Sequence, residues 1–160
     1  MLRLLATGLV AAWVLAFIGP AIARPNVSLH LSLALVQHTS SGDKIRSLEH
    51  VVLKSGDIVR HTIDATNAGN EAALDLTPVE IIHPGEMLVA GSVHGPASHV
   101  EYTLDGKTWS AHPMIKARQP DGKVTTKPAD PSQYTALRWR MTSPLPAHKA
   151  VSFSYEVRVK

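Results

Sequence analysis

Apolar and polar residues alternate along several segments of the chain, and this alternation is its dominant pattern. The clearest segments are 27–35, 59–66, 100–104, 136–141 and 151–160. A period of two residues places one set of side chains on each face of a β-strand. The 3.6-residue apolar period of an amphipathic helix does not extend over any useful length of residues 24–160. The pattern predicts an antiparallel sandwich or barrel, and apolar residues on one face only favour the two-layer sandwich.

Turn residues separate the predicted strands. Ser55-Gly56-Asp57 precedes the central strand of residues 59–66, and Asn67-Ala68-Gly69-Asn70 follows it. Between two extended runs, Asp105-Gly106 predicts a two-residue hairpin turn, in which both positions have φ > 0. Shorter strands are predicted at four further apolar runs, which are 51–53, 72–77, 79–82 and 87–90.

Two polar ranges are predicted to be loops. Residues 37–47 include Ser40-Ser41-Gly42-Asp43 and show no apolar alternation. Residues 111–132 contain four prolines, so they predict a long exposed loop, in which Asp121-Gly122 is a candidate turn for a small hairpin. A loop of that length is uncommon in a compact domain and often has a functional role.

The first 23 residues have the composition of a cleavable signal peptide. Met1-Leu2-Arg3 is a short basic start, Leu4 to Ile18 is an apolar run of 15 residues, and Ala21-Ile22-Ala23 fits a signal peptidase site. The alternative is an uncleaved anchor, but a membrane span needs about 20 residues. We expect one mature domain of residues 24–160 that is periplasmic or extracellular and meets the membrane only through this leader.

Composition narrows the possible functions. The chain has no cysteine, so an exported domain must be held together by its core. The formal net charge is +3, which becomes +2 when Arg3 is removed with the leader. The basic residues are also scattered, and this argues against nucleic acid as a partner.

Four segments carry recognisable motifs in a fixed order: 53–69 with its Gly-Asp turn and Asn-x-Gly end, 82–92 with its Pro-Gly and Gly-Ser, 100–109 with Asp-Gly, and 134–139 with Leu-Arg-Trp. Taken in this order, they resemble a bacterial conserved-repeat family, domain of unknown function number eleven. The resemblance implies an immunoglobulin-like antiparallel β-sandwich of about seven strands. It also implies an exported or surface protein, because the family often forms tandem repeats on bacterial surfaces and has no general known activity.

The chain departs from the family pattern at three places. His61 stands where an aromatic residue is usual, Ala65 replaces a larger residue, and His148-Lys149 replaces the glycine of the last turn. Only one copy of the pattern is present. The last strand, residues 151–160, contains no asparagine, so the isopeptide crosslink of some related surface repeats is not expected.

Candidate chemistry is sparse. The sequence has nine histidines, and His94 and His99 are the pair that a loop would most easily bring together as metal ligands. Copper or zinc binding by loop histidines is therefore the alternative function. No Gly-x-Ser-x-Gly elbow and no carboxylate pair at catalytic spacing occur. We predict no enzymatic activity and no cofactor.

A possible interaction surface follows the predicted hairpin and the long loop. Its members are the aromatic and basic residues Trp109, Lys116, Arg118, Lys123 and Lys127. Their partner would be an unknown protein or an anionic envelope polymer. The leading functional hypothesis is a non-enzymatic structural or interaction module of the bacterial envelope.

Overall fold

The computed structural model describes residues 24–160, and their regular structure is ten β-strands and one short 3-10 turn at Pro131–Gln133. The predicted signal peptide lies outside the described residues. The strands are β1 Val27–Thr39, β2 Gly42–Ser47, β3 Ile58–Asn67, β4 Val79–Ile81, β5 Glu86–Leu88, β6 Ser98–Thr103, β7 Met114–Arg118, β8 Val124–Pro128, β9 Ala136–Met141 and β10 Ala150–Val159. No helix in this range is long and apolar enough to cross a membrane.

The strands form two packed sheets and a separate hairpin. The large sheet has five strands in the order β2-β1-β3-β10-β5, and the small sheet has three in the order β4-β9-β6. Strands β7 and β8 pair only with each other. Every pairing is antiparallel. The prediction of an all-β antiparallel sandwich is confirmed, although the described residues hold ten strands instead of about seven.

The core lies between the two sheets and is built by the inward residues of β3, β9 and β10. Trp139 of β9 packs against Phe153 and Tyr155 of β10, with ring centroids 5.3 and 6.1 Å apart. Ile63 of β3 and Leu137 of β9 are also fully buried. Each such side chain contributes about 1.5–3 kcal/mol when it is removed from water, so these strands supply most of the stabilisation.

Asn67, at the end of β3, holds three chain segments together. Its buried side-chain amide donates hydrogen bonds to the carbonyl oxygens of Glu71, Leu145 and Pro146. Its Oδ1 accepts from the backbone N–H groups of Asn26 and Gly69 at 3.1 Å. A Cβ on Gly69 would lie only 2.3 Å from the carbonyl oxygen of Arg24, so β1 can begin this close only beside glycine.

A bulge beside β10 explains the Gly-Ser of the second motif. Gly91 has φ +76°, a conformation that side chains disfavour. Ser92 follows, and its hydroxyl donates to the Val89 carbonyl at 2.7 Å and accepts from the backbone N–H of Glu156 at 3.0 Å. The side chain therefore replaces the backbone partner that the bulge displaces.

Several local predictions were wrong. Residues 37–47 are not a loop, because β1 continues to Thr39 and pairs with β2 in a hairpin. All six residues of β2 are exposed, so its sequence carries no apolar signal. The range 111–132 is mostly the β7–β8 hairpin around Asp121-Gly122 and not a long loop. Residues 51–53 form no strand, and 72–77 contribute only the bridge from Ala73 to Leu145.

Asp105-Gly106 does not form the predicted two-residue turn. Gly106 has positive φ but Asp105 does not, and the ladder resumes only where Tyr102 meets Ser110. The loop is closed instead by side chains, because the Asp105 carboxylate accepts from the N–H groups of Lys107 and Thr108 at 2.8 Å. These bonds hold the pKa of Asp105 well below its usual range.

Asn67→Ala is expected to lower the free energy of unfolding by about 2–4 kcal/mol, since it leaves buried amide and carbonyl groups without partners. Urea unfolding of the purified protein measures this loss. The control is Asn70→Ala, whose exposed side chain accepts a single bond from the Arg24 N–H and should cost under about 1 kcal/mol. Equal losses in the two variants would contradict the role given to Asn67.

Candidate functional site

The small sheet covers only part of the large sheet. His94 forms a β-bridge with Ser154 of β10. Only three residues lie between His94 and the start of β6, so β6 must lie over the part of the large sheet that contains β5. Gly95 in this link lies against Phe153 and Trp139. Since β4 is at the opposite edge of the small sheet, it lies on the side of β3 and β1. Three strands are too few to cover five, so part of the inner face of β1 has no strand of the small sheet above it.

Three leucines on the inner face of β1 are exposed. Leu29, Leu31 and Leu33 have 55%, 48% and 42% of their surface in contact with solvent. Their ladder partners on β3 are Ala65, Ile63 and His61, which are all buried. Directly paired residues share a face of the sheet, so the leucines belong to the core-facing side and lack a layer above them.

The backbone edges beside these leucines are also unpaired. Strand β4 pairs with β9 on one side, and no strand among residues 24–160 pairs with its other side. Strand β2 pairs with β1 from Ala34 onward, so no strand of residues 24–160 pairs with this edge of β1 at residues 27–33. We call Leu29, Leu31 and Leu33, together with the free edge of β4, the open side.

A buried polar group borders the open side. Nδ1 of His61 lies 3.0 Å from the hydroxyl of Tyr155, and that hydroxyl lies 3.5 Å from a carboxylate oxygen of Glu80 on β4. Nε2 of His61 has no hydrogen-bond partner within the described residues. Burial lowers the pKa of His61 and raises the pKa values of Glu80 and Tyr155, because each charged form loses water.

A second polar cluster lies on the outer face of the large sheet. His38 of β1 places Nδ1 2.7 Å from Asp43 and Nε2 3.0 Å from Glu156. Arg60 of β3 donates to the other oxygens of the same two carboxylates, at 2.6 Å to Asp43 and 2.7 Å to Glu156. The four side chains form a closed ring of alternating charge, which we call the charge ring.

The charge ring has a structural explanation that needs no ligand. Both ring nitrogens of His38 face carboxylate oxygens, and the imidazolium form satisfies both contacts. Hydrogen bonds to Asp43 and Glu156 raise the pKa of His38, and Arg60 followed by His38 lowers the pKa of Asp43. Asp43 lies on β2, so the ring ties the exposed edge strand to β3 and β10.

The charge ring also contains the one group of potential metal ligands found in the described range. Atoms of His38, Asp43 and Glu156 lie within 4.8 Å of one another. They line a cavity of about 310 Å³ with His94. However, Arg60 already pairs with both carboxylates, and a metal ion would have to displace the His38 proton. The geometry therefore fits an ionic network better than a metal site.

The two histidines that the sequence singled out lie on different elements and line different cavities. His94 bridges to the large sheet and lines the cavity beside the charge ring. His99 lies on β6 of the small sheet, opposite Arg140, and lines a different cavity. Neither belongs to the ligand group of the charge ring, so metal binding by His94 and His99 stays a prediction.

The predicted aromatic and basic surface is divided among separate places. Trp109 is half-buried, and the guanidinium of Arg138 lies 4.5 Å above its ring. Lys116 and Arg118 share one face of β7, whereas the register places Lys127 of β8 on the opposite face. Lys123 pairs with Asp121 in the turn at 3.4 Å.

The sequence did not reveal either the open side or the charge ring. The alternation in β1 correctly indicated an apolar face, but a strand pattern does not say which part of that face is covered. Asp43 and His38 lie in the range read as a loop, and their partner Glu156 is more than a hundred residues away. The one signal was His61, a polar residue in the apolar set of its strand, whereas Glu156 occupies a position where a polar residue is expected.

Comparisons of the chain with known protein families, with characterised proteins and with solved structures found no significant match. The class of protein is therefore defined by its own structure, an all-β antiparallel sandwich with an uncovered inner face. The resemblance to the conserved-repeat family stays a prediction.

His38 and His61 are expected to make the free energy of unfolding depend on pH in opposite directions. The pKa of His38 is raised, so its contribution is fully present below about pH 6.5 and is lost as the pH rises through the raised value. The pKa of His61 is lowered, so stability is fully present above about pH 6.5 and falls as the pH drops toward the lowered value. Each unit of that pKa difference corresponds to about 1.4 kcal/mol.

Urea unfolding between about pH 5 and pH 8 separates the two effects. His61→Phe should flatten the loss on the acid side, and His38→Gln should flatten the loss on the alkaline side. His30→Gln, on the exposed outer face of β1, is the control for replacing a histidine. The assignment fails if either variant keeps the pH dependence of the parent protein.

Proposed function

We propose that this protein is an exported, non-enzymatic interaction module of the bacterial envelope, and that it binds its partner at the open side. The observation that carries the proposal is the exposure of Leu29, Leu31 and Leu33 on the core-facing side of β1. A leucine gains about 1.5–3 kcal/mol on full burial, so a partner that covers all three recovers much of that free energy. The leader of residues 1–23 supports the exported location.

The shape of the open side supports binding by strand addition. A row of exposed apolar side chains beside an unpaired strand edge is the arrangement in which an extended segment can join a sheet. The backbone of β4 would supply hydrogen bonds, and the leucines would select apolar side chains.

Metal handling is the competing function, and one observation favours it, the convergence of His38, Asp43 and Glu156. The double salt bridge of Arg60 to the same carboxylates weighs against it, as does the protonated form that both His38 contacts require. The interaction module is therefore the better supported of the two.

A photoreactive amino acid at position 31 tests the proposal in the cells that produce the full chain. We expect the Leu31 variant to give a crosslinked adduct on illumination, because the occupant lies against this side chain. Val124 on β8 is the matched control, since it is an apolar strand residue of similar exposure, 57%, on the separate hairpin. No adduct at position 31, or equal adducts at both positions, would overturn the proposal.

A further inference from the structure

We propose that the occupant of the open side is an extended segment of a partner protein with apolar residues at alternate positions and one Lys or Arg that faces Glu80. This inference rests on the proposed function and specifies the chemistry of the partner. It depends on three features of the open side: the spacing of the leucines, the free edge of β4, and the carboxylate of Glu80.

The spacing of the leucines matches an extended segment. Leu29, Leu31 and Leu33 recur every second residue, which is the repeat of side chains on one face of a strand. Neighbouring strands lie about 4.8 Å apart and packed sheets about 10 Å apart. A segment that paired with the free edge of β4 would therefore lie above β1. Alternate side chains of that segment would then rest on the three leucines, as in a complete sandwich.

Glu80 gives the open side a charge preference. The register pairs Glu80 with the inward-facing Leu137, so the carboxylate belongs to the inner face of the small sheet. No lysine, arginine or histidine among residues 24–160 forms a salt bridge with it within 4.0 Å, and the charge of His83 acts on it only from a greater distance. It is half-buried, and burial raises its pKa. A cation on an incoming strand would pair with this carboxylate, whereas an anion would be repelled.

Glu80 also explains how an exposed strand edge avoids indiscriminate pairing. An inward-pointing charge on an edge strand makes addition of a purely apolar strand costly, because the charge would be buried without a partner. A strand that carries a positive charge avoids this cost, because its cation can pair with Glu80. Beside it, Nε2 of His61 is a further buried polar atom that has no hydrogen-bond partner among residues 24–160, and His61 pairs with Leu33 in the ladder.

A second copy of this chain fits the open side less well. Its own exposed strand, β1, presents leucines on the inner face and no lysine or arginine between Val27 and Thr39. Packing two copies through β1 would cover the leucines but would leave Glu80 without a cation. Lys44 and Arg46 lie on the edge strand β2, but Ile45 is the one apolar side chain of that strand, so β2 lacks apolar residues at alternate positions.

Fluorescence anisotropy with synthetic peptides tests the inference on the protein recovered from cells. The probe is a labelled peptide of about eleven residues that alternates threonine and leucine and has lysine at a central leucine position. Two further peptides carry glutamate or norleucine in place of the lysine. We expect the lysine peptide to bind about tenfold tighter than the glutamate peptide, which corresponds to about 1.4 kcal/mol.

Two protein variants connect that preference with Glu80 and the leucines. Glu80→Gln keeps the shape of the side chain and should abolish the preference for the lysine peptide. Leu31→Gln should weaken the binding of all three peptides. Glu71→Gln, at an exposed glutamate in the loop after β3, is the matched control and should bind like the parent protein. A lysine preference that survives in Glu80→Gln would overturn the inference, as would equal binding of all three peptides.

The remaining outcomes separate this inference from the proposed function. If no peptide binds while the Leu31 crosslinker gives an adduct with the mass of two copies, the occupant is a second copy, and the inference fails while the interaction role stands. If no peptide binds and no adduct forms, both fail.

Discussion

The unequal width of the two sheets is the constraint on which the rest of this structure depends. A strand buries its apolar face only where a second layer lies about 10 Å above it. The small sheet has three strands and the large sheet has five, so the cover ends near β3. Apolar residues of β3, β9 and β10 are buried between the layers, whereas the leucines of β1 are left at the margin. The stable core and the open side thus have the same origin.

Polar side chains then hold the irregular parts that connect the layers. Asn67 joins the start of β1 to the loops after β3 and before β10, and Ser92 replaces a backbone partner at the bulge beside β10. The charge ring ties β2 to the middle of the large sheet. The chain has no cysteine, so these irregular connections are held by hydrogen bonds and ion pairs and not by disulfides.

The sequence was sufficient for the central strands and insufficient for the edges. Strands β1, β3, β9 and β10 each have one strongly apolar face, and alternation located them correctly. Strand β2 was missed because an edge strand exposed on both faces has no such pattern. The Asp105 turn was misread because side-chain hydrogen bonds, which spacing does not reveal, close a longer loop. The open side and the charge ring depend on which strands lie together in space, and no local pattern of residues encodes that.

Solvent access to single cysteines tests the uncovered face most directly, because the native chain contains no cysteine to interfere. Leu31→Cys and Ile63→Cys lie side by side in the ladder, one on the exposed strand and one under the small sheet. In the folded, partner-free protein, we expect a maleimide reagent to modify position 31 nearly as fast as it modifies unfolded protein, while position 63 is protected. Equal protection at both positions would show that β1 is covered, and would contradict an uncovered inner face.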